Sequence, residues 1–135
     1  MPTDWRALLD GTRLRLTDPA DPMGMRAVED ELGHPLSLGL RDLYLRSNGI
    51  LDEWGYAYVL PVEDLVRRRD ELREPWAATF AGFDDLFVVG QFGNGDLLMH
   101  PVNAGRPAET LMRWDHEDDR REYFAADLAE AVRAL

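Results

Sequence analysis

The residues of this chain that could ligate a metal or move a proton are His34, His100, His116 and the run Asp115-His116-Glu117-Asp118-Asp119. That run offers consecutive residues on a segment without periodicity, whereas two ligands on one side of a helix need i, i+4 spacing. His100 follows Asp96 by four residues on an alternating segment, which puts both on one strand face and permits a group with His116. It also directly precedes Pro101, and so equally suits a strand-end residue bonded to backbone. A metal-dependent hydrolase built on Asp96, His100 and His116 is therefore the weakest of three readings, and no metal or cofactor is expected. Nucleophiles are scarcer still. The only serines are Ser37 and Ser47, cysteine is absent, and no G-x-S-x-G elbow occurs. Gly90-Gln91-Phe92-Gly93-Asn94-Gly95-Asp96 has the glycines of a phosphate loop. It lacks a lysine and a following helix, and it ends on a carboxylate that would repel phosphate, so it reads as a hairpin turn. Asp84-Asp85 could do acid–base work, but adjacent acids arise by chance among 26. No catalytic residue is assigned. The aromatics are the remaining asset: Trp54, Tyr56 and Tyr58 at the start of one strand, and Trp114 at the end of another. Such side chains anchor interfaces or fill cores.

The elements that must hold these residues come from one modest chain. Its 135 residues fit one domain, taken as 1–135, with a folded surface of roughly 7,000 Å². No apolar run approaches the roughly 20 residues of a membrane span, and Met-Pro-Thr-Asp-Trp has no signal-like n- or h-region. A cytoplasmic protein is predicted. The net charge of −11 repels a phosphate backbone and attracts basic partners. All 15 basic residues are arginine, which suggests a GC-rich coding sequence and a bacterial source.

Helices are predicted at 4–9, 23–32, 38–47, 62–73 and 124–135, with the Asp- and Pro-rich stretch 13–22 as a loop. Asp21-Pro22 and Ser37 read as helix starts, and Gly33 and Asn48-Gly49 as stops. The third helix carries one stripe of Leu36, Leu40, Leu43 and Tyr44 and a second of Leu38 and Leu45. A helix apolar on two sides is sandwiched between layers or shows one side to a partner. On the fourth, Glu63 and Asp64 precede Arg67 and Arg68 by four residues, so Arg67-Arg68-Arg69 reads as a paired, solvated face. Strands at 56–60, 86–92, 97–102 and 109–115, joined by tight turns, predict an α+β fold. The meander 86–115 and strand 56–60 form a central antiparallel sheet, with helices mainly on one face.

In their order these features resemble the SUKH superfamily, in its branch related to fungal cell-wall-assembly regulators of the Smi/Knr type. The matching stations are Glu29 or Glu31 with Leu32-Gly33 and Pro35-Leu36, the helix Leu40–Arg46, and Asn48-Gly49-Ile50. Val59-Leu60-Pro61, Val89-Gly90, Gly93-Asn94-Gly95-Asp96 and Leu111-Met112-Arg113-Trp114-Asp115-His116 follow, before a closing apolar helix. The resemblance covers about residues 22–135. It implies a non-enzymatic α+β domain, most often an immunity protein that neutralises a cognate polymorphic or contact-dependent toxin. A regulatory scaffold domain for an endogenous partner is the alternative. The expected partner is a protein, a basic toxin domain, and neither nucleic acid nor membrane. The binding face is expected to combine aromatics with bordering carboxylates on loops: Trp54, Tyr56, Asp84, Asp85, Trp114, Glu117, Asp118 and Asp119.

Overall fold

A computed structural model describes residues 2–135. All strand pairings are antiparallel, and they join eight strands into one sheet. The strands are β1 (Arg15–Leu16), β2 (Ile50–Leu51), β3 (Ala57–Val59), β4 (Leu86–Gln91), β5 (Leu97–Asn103), β6 (Arg106–Pro107), β7 (Leu111–Trp114) and β8 (Arg121–Ala125). The order is β1-β2-β3-β4-β5-β7-β8, with β6 a spur on β5. The expected meander is present, with β4 and β5 joined by the Gly93–Gly95 turn and β7 returning along β5. The five helices are α1 (Trp5–Leu9), α2 (Pro22–Leu32), α3 (Leu38–Tyr44), α4 (Leu65–Glu71) and α5 (Leu128–Arg133). No helix among the described residues is long and apolar enough to cross a membrane.

The caps that the residue types suggest are formed. The carboxylates of Asp4, Asp21 and Asp127 and the hydroxyl of Ser37 each accept a backbone N–H in the first turn of their helix, and Gly33 closes α2 at φ +78°. Most of the apolar surface lies on one sheet face. There Phe87, Val89, Leu98 and Leu111 meet Trp5, Leu40, Leu43, Tyr44, Leu65 and Leu128. Trp5 ties the N-terminal helix to this core, and its indole N–H donates to Asp42 at 3.0 Å. Alternation sends Val88, Leu97, Met99 and Trp114 to the opposite face, where Leu72, Ala77 and Phe83 cover them.

Several boundaries differ from the expectation. The predicted helix 124–135 begins only at Leu128, because Arg121–Ala125 is β8 and pairs with β7. Phe124 stands four residues before Leu128, which suits a helix stripe, but the 115–120 turn brings its segment to the free edge of β7 first. There Phe124 packs edge-on against Phe92 at 5.2 Å. The expected loop at 13–22 contains β1, and β6 lies between the predicted strands 97–102 and 109–115; both are two-residue strands too short to show a period. The fourth helix opens as a 3₁₀ turn at Val62–Asp64. Its arginines pair mainly forward, Arg67 and Arg68 both to Glu71 at 2.7 and 2.8 Å, while Glu63 instead accepts from the Asn48 amide. On α3 the first stripe is buried, but Leu38 and Leu45 face outward.

Candidate functional site

The β2–β3 hairpin carries the most exposed large hydrophobic side chain of the described residues, Trp54. Asp52 is buried at its base, and one carboxylate oxygen accepts the N–H groups of Trp54 and Tyr56 at 2.8 and 2.9 Å. Gly55 takes φ +86°, which lets its N–H return to the Asp52 carbonyl. The loop is thereby fixed through that one carboxylate oxygen and the Asp52 carbonyl, and Trp54 projects from it 84% exposed. Tyr56 packs edge-on against Tyr58, whose hydroxyl accepts from Arg13.

Beside this hairpin lies the β4–β5 turn. Gly93 faces the Tyr56 ring and the Tyr58 hydroxyl, and the ring of His116 lies directly over Gly95, where a Cβ would come within 3.0 Å of it. Asp96 closes the turn and is almost fully buried. It accepts from His116 Nδ1 at 2.7 Å, from the His116 backbone N–H at 3.2 Å, and from Arg113 at 2.8 Å. Burial works to raise the Asp96 carboxyl, but the His116 and Arg113 bonds outweigh it and hold it at about 2. The same hydrogen bond raises the His116 imidazole above its ordinary value.

The acidic loop is built on this anchor. Asp115 accepts the Glu117 N–H and Asp118 the Arg120 N–H, while Glu117 and Asp118 point to solvent. Asp119 has a different task. Its carboxylate receives the Trp114 indole N–H at 2.7 Å, the Ala81 N–H at 2.9 Å and the Arg121 guanidinium at 2.9 Å. Burial works to raise it, and these bonds outweigh that and hold its carboxyl below the usual range. Trp114 is buried, edge-on to Phe80 and Phe83 at 5.1 and 5.4 Å. It forms the floor of a groove of about 350 Å³ whose rim includes Trp76, Phe80, Glu71 and His116. Trp76 is half exposed there.

The residues expected to form one face are thus divided. Tyr56 and the 115–119 loop are linked through the Gly93–Gly95 turn, with Trp54 at the hairpin tip. Trp114 and Asp119 lie beneath the surface as its support. Asp84 and Asp85 are exposed but stand at the other end of β4, since Leu86 pairs with Pro101 while Gln91 pairs with Leu97 beside the turn. Sequence reasoning missed Asp52, the buried role of Asp96, and Trp76. An Asp three residues before a glycine is the signal that could have found the first. Trp76 lies in the irregular 3₁₀ segment Pro75–Thr79 and gives none.

The group Asp96, His100 and His116 is not assembled. His100 is fully buried, stacks on Phe87, and bonds the Thr110 carbonyl through Nδ1 at 2.9 Å; its Nε2 has no partner among the described residues. Burial pushes its imidazole below the ordinary value. Asp96, Asp115 and His116 do place one donor atom each within 4.8 Å of one another. Arg113 already supplies positive charge to Asp96 there, which disfavours a cation at the same carboxylate.

An antiparallel sheet backed by helices, with a braced aromatic hairpin beside an acidic loop, is the layout of this α+β domain. The chain belongs to the SMI1 / KNR4 family (SUKH-1), whose family model matches residues 19–133. That family is generally non-catalytic. A comparison with curated proteins found no match.

Proposed function

We propose that this protein is a non-enzymatic, cytoplasmic immunity-type binder that neutralises a basic protein toxin by covering its active site or substrate groove. The observation that carries the reading is Trp54. A side chain of that size, 84% exposed on a loop held by the buried Asp52 carboxylate, loses little conformational freedom when it is buried by a partner. Its neighbourhood matches the task. Trp54 would supply the buried anchor, and Tyr56 its flank. Glu117 and Asp118, both exposed, would pair with lysine or arginine on the toxin and speed encounter. A chain at −11 suits a basic target such as a nuclease domain. Asp84 and Asp85 would contribute to the field at long range.

The test is capture from the native host on the immobilised protein, followed by identification of the tightest partner and a toxicity assay with and without this chain. A basic toxin whose activity is blocked, and whose capture is lost with Trp54→Ala, is the expected result. A housekeeping partner captured through the same residues would replace the immunity role by endogenous regulation.

A further inference from the structure

The exposed side of α2 and α3 carries a second surface of opposite character, and its lining includes neither the hairpin tip nor the acidic loop. Met23 is 80% exposed and Leu45 is 56% exposed. Leu45 is a ridge shared by two grooves. One, of about 570 Å³, is bordered by Arg6 and Arg46; the other, of about 610 Å³, by Met23, Arg26 and Arg41. Lining the two are four arginines against only two carboxylates, Asp4 and Glu29, on a chain that is strongly acidic as a whole.

Those carboxylates are already engaged. Asp4 caps α1 through the Ala7 N–H, and Glu29 accepts both the Leu36 N–H and the Arg41 guanidinium. Asp42 and Asp21, close by on the same helices, hold Trp5 with Thr3 and cap α2 respectively. Arg6, Arg26 and Arg46 are exposed and make no ion pair or side-chain hydrogen bond among the described residues. The surface therefore offers an apolar ridge flanked by three uncommitted guanidinium groups.

The geometry points to a docking site for an acidic amphipathic segment of a partner protein, its apolar side chains laid over Met23 and Leu45 and its carboxylates on Arg6, Arg26 and Arg46. Helix-in-groove recognition lays the apolar face of a helix into a groove, and the two grooves that Leu45 divides offer that seat; arginine pairs with carboxylates in a two-pronged geometry that fixes register. A second copy related by a two-fold axis would bring these arginines against each other. A nucleic acid would leave Met23 and Leu45 without a use. The site shares no residue with the face proposed to bind toxin, so either can fail without the other.

The probe is a dye-labelled synthetic 18-residue helical peptide with leucine at i, i+3, i+4 and i+7 and glutamate on the flanks. It is titrated with the full-length protein at low salt by fluorescence anisotropy, while the methionine methyl signals are followed by NMR. Saturable binding at micromolar Kd is expected, with the Met23 methyl signal shifted. Arg26→Glu with Arg46→Glu should weaken it at least tenfold, and Leu45→Ser about as much. All three positions are exposed, so thermal unfolding of the variants should match the parent, and neutralising Glu117 and Asp118 should leave peptide affinity unchanged. Failure to bind overturns the proposal. So does equal affinity for a peptide with lysine flanks, insensitivity to the arginine reversals, or a 12-base-pair DNA duplex that binds as tightly and ignores Leu45→Ser. A concentration-dependent increase in mass that the arginine reversals abolish would overturn it in favour of self-association.

Discussion

Asp96→Asn is the perturbation whose size follows most directly from the structure. The carboxylate is 4% exposed and takes hydrogen bonds from His116 twice and from the Arg113 guanidinium. Held at about 2 in the fold against an ordinary 3.8, it contributes roughly 2–3 kcal/mol of stability near neutrality. An amide of the same shape keeps one acceptor oxygen, loses the charge, and turns an NH₂ group toward donors. The loss should therefore be roughly 2–3 kcal/mol, a fall in Tm of roughly 6–15 °C for a chain of this size. The pH dependence has a definite sign. A depressed carboxyl stabilises above its unfolded value and loses that contribution as pH falls through about 2. The raised His116 imidazole behaves oppositely: its contribution is whole below the ordinary 6.5 and is lost as pH rises through its folded value. The difference in unfolding free energy between parent and variant should hence peak between about pH 5 and 6.5, falling steeply toward acid and partly toward alkali. Urea denaturation of both proteins from pH 2 to 8 measures it, and the subtraction removes the other acids. A variant within about 0.5 kcal/mol of the parent, or a flat difference curve, would refute the reasoning.

Other outcomes follow from the same structure. Trp54→Ala should leave thermal unfolding unchanged but speed dissociation of the captured partner roughly 30-fold, about 2 kcal/mol, by surface plasmon resonance. Glu117→Gln with Asp118→Asn should slow association and flatten its salt dependence at unchanged Tm. Asp119→Ala, two residues from Glu117, should instead cost about 1–3 kcal/mol in urea denaturation, because it strands the Trp114 indole and the Ala81 N–H. Gly90→Ala should lower Tm sharply, since its Cβ would meet the Tyr58 carbonyl oxygen at 2.3 Å, where β4 pairs with β3. Normal stability of that variant would argue against the β3–β4 pairing.

Much of the fold was legible because its signals are local. Asp21-Pro22 and Ser37 satisfy N–H groups within three residues of themselves, and Gly33 supplies a left-handed end, so the helices they bound could be placed by eye. The β4–β5 turn was legible for the same reason, whereas the second stripe of Leu38 and Leu45 could be recognised but not assigned to the inside or the outside. What the sequence alone could not decide depends on segments distant along the chain. Whether Phe124 joins a helix or a strand is settled by the open edge of β7. Whether Trp114 anchors a partner or a core is settled by Phe80, Phe83 and Asp119 closing over it. Two aspartates four residues apart, Asp115 and Asp119, look alike in a run of acids. Only the tertiary structure gives one the loop and the other the indole of a buried tryptophan, because which carboxylate is solvated and which is bonded depends on what the fold packs against it.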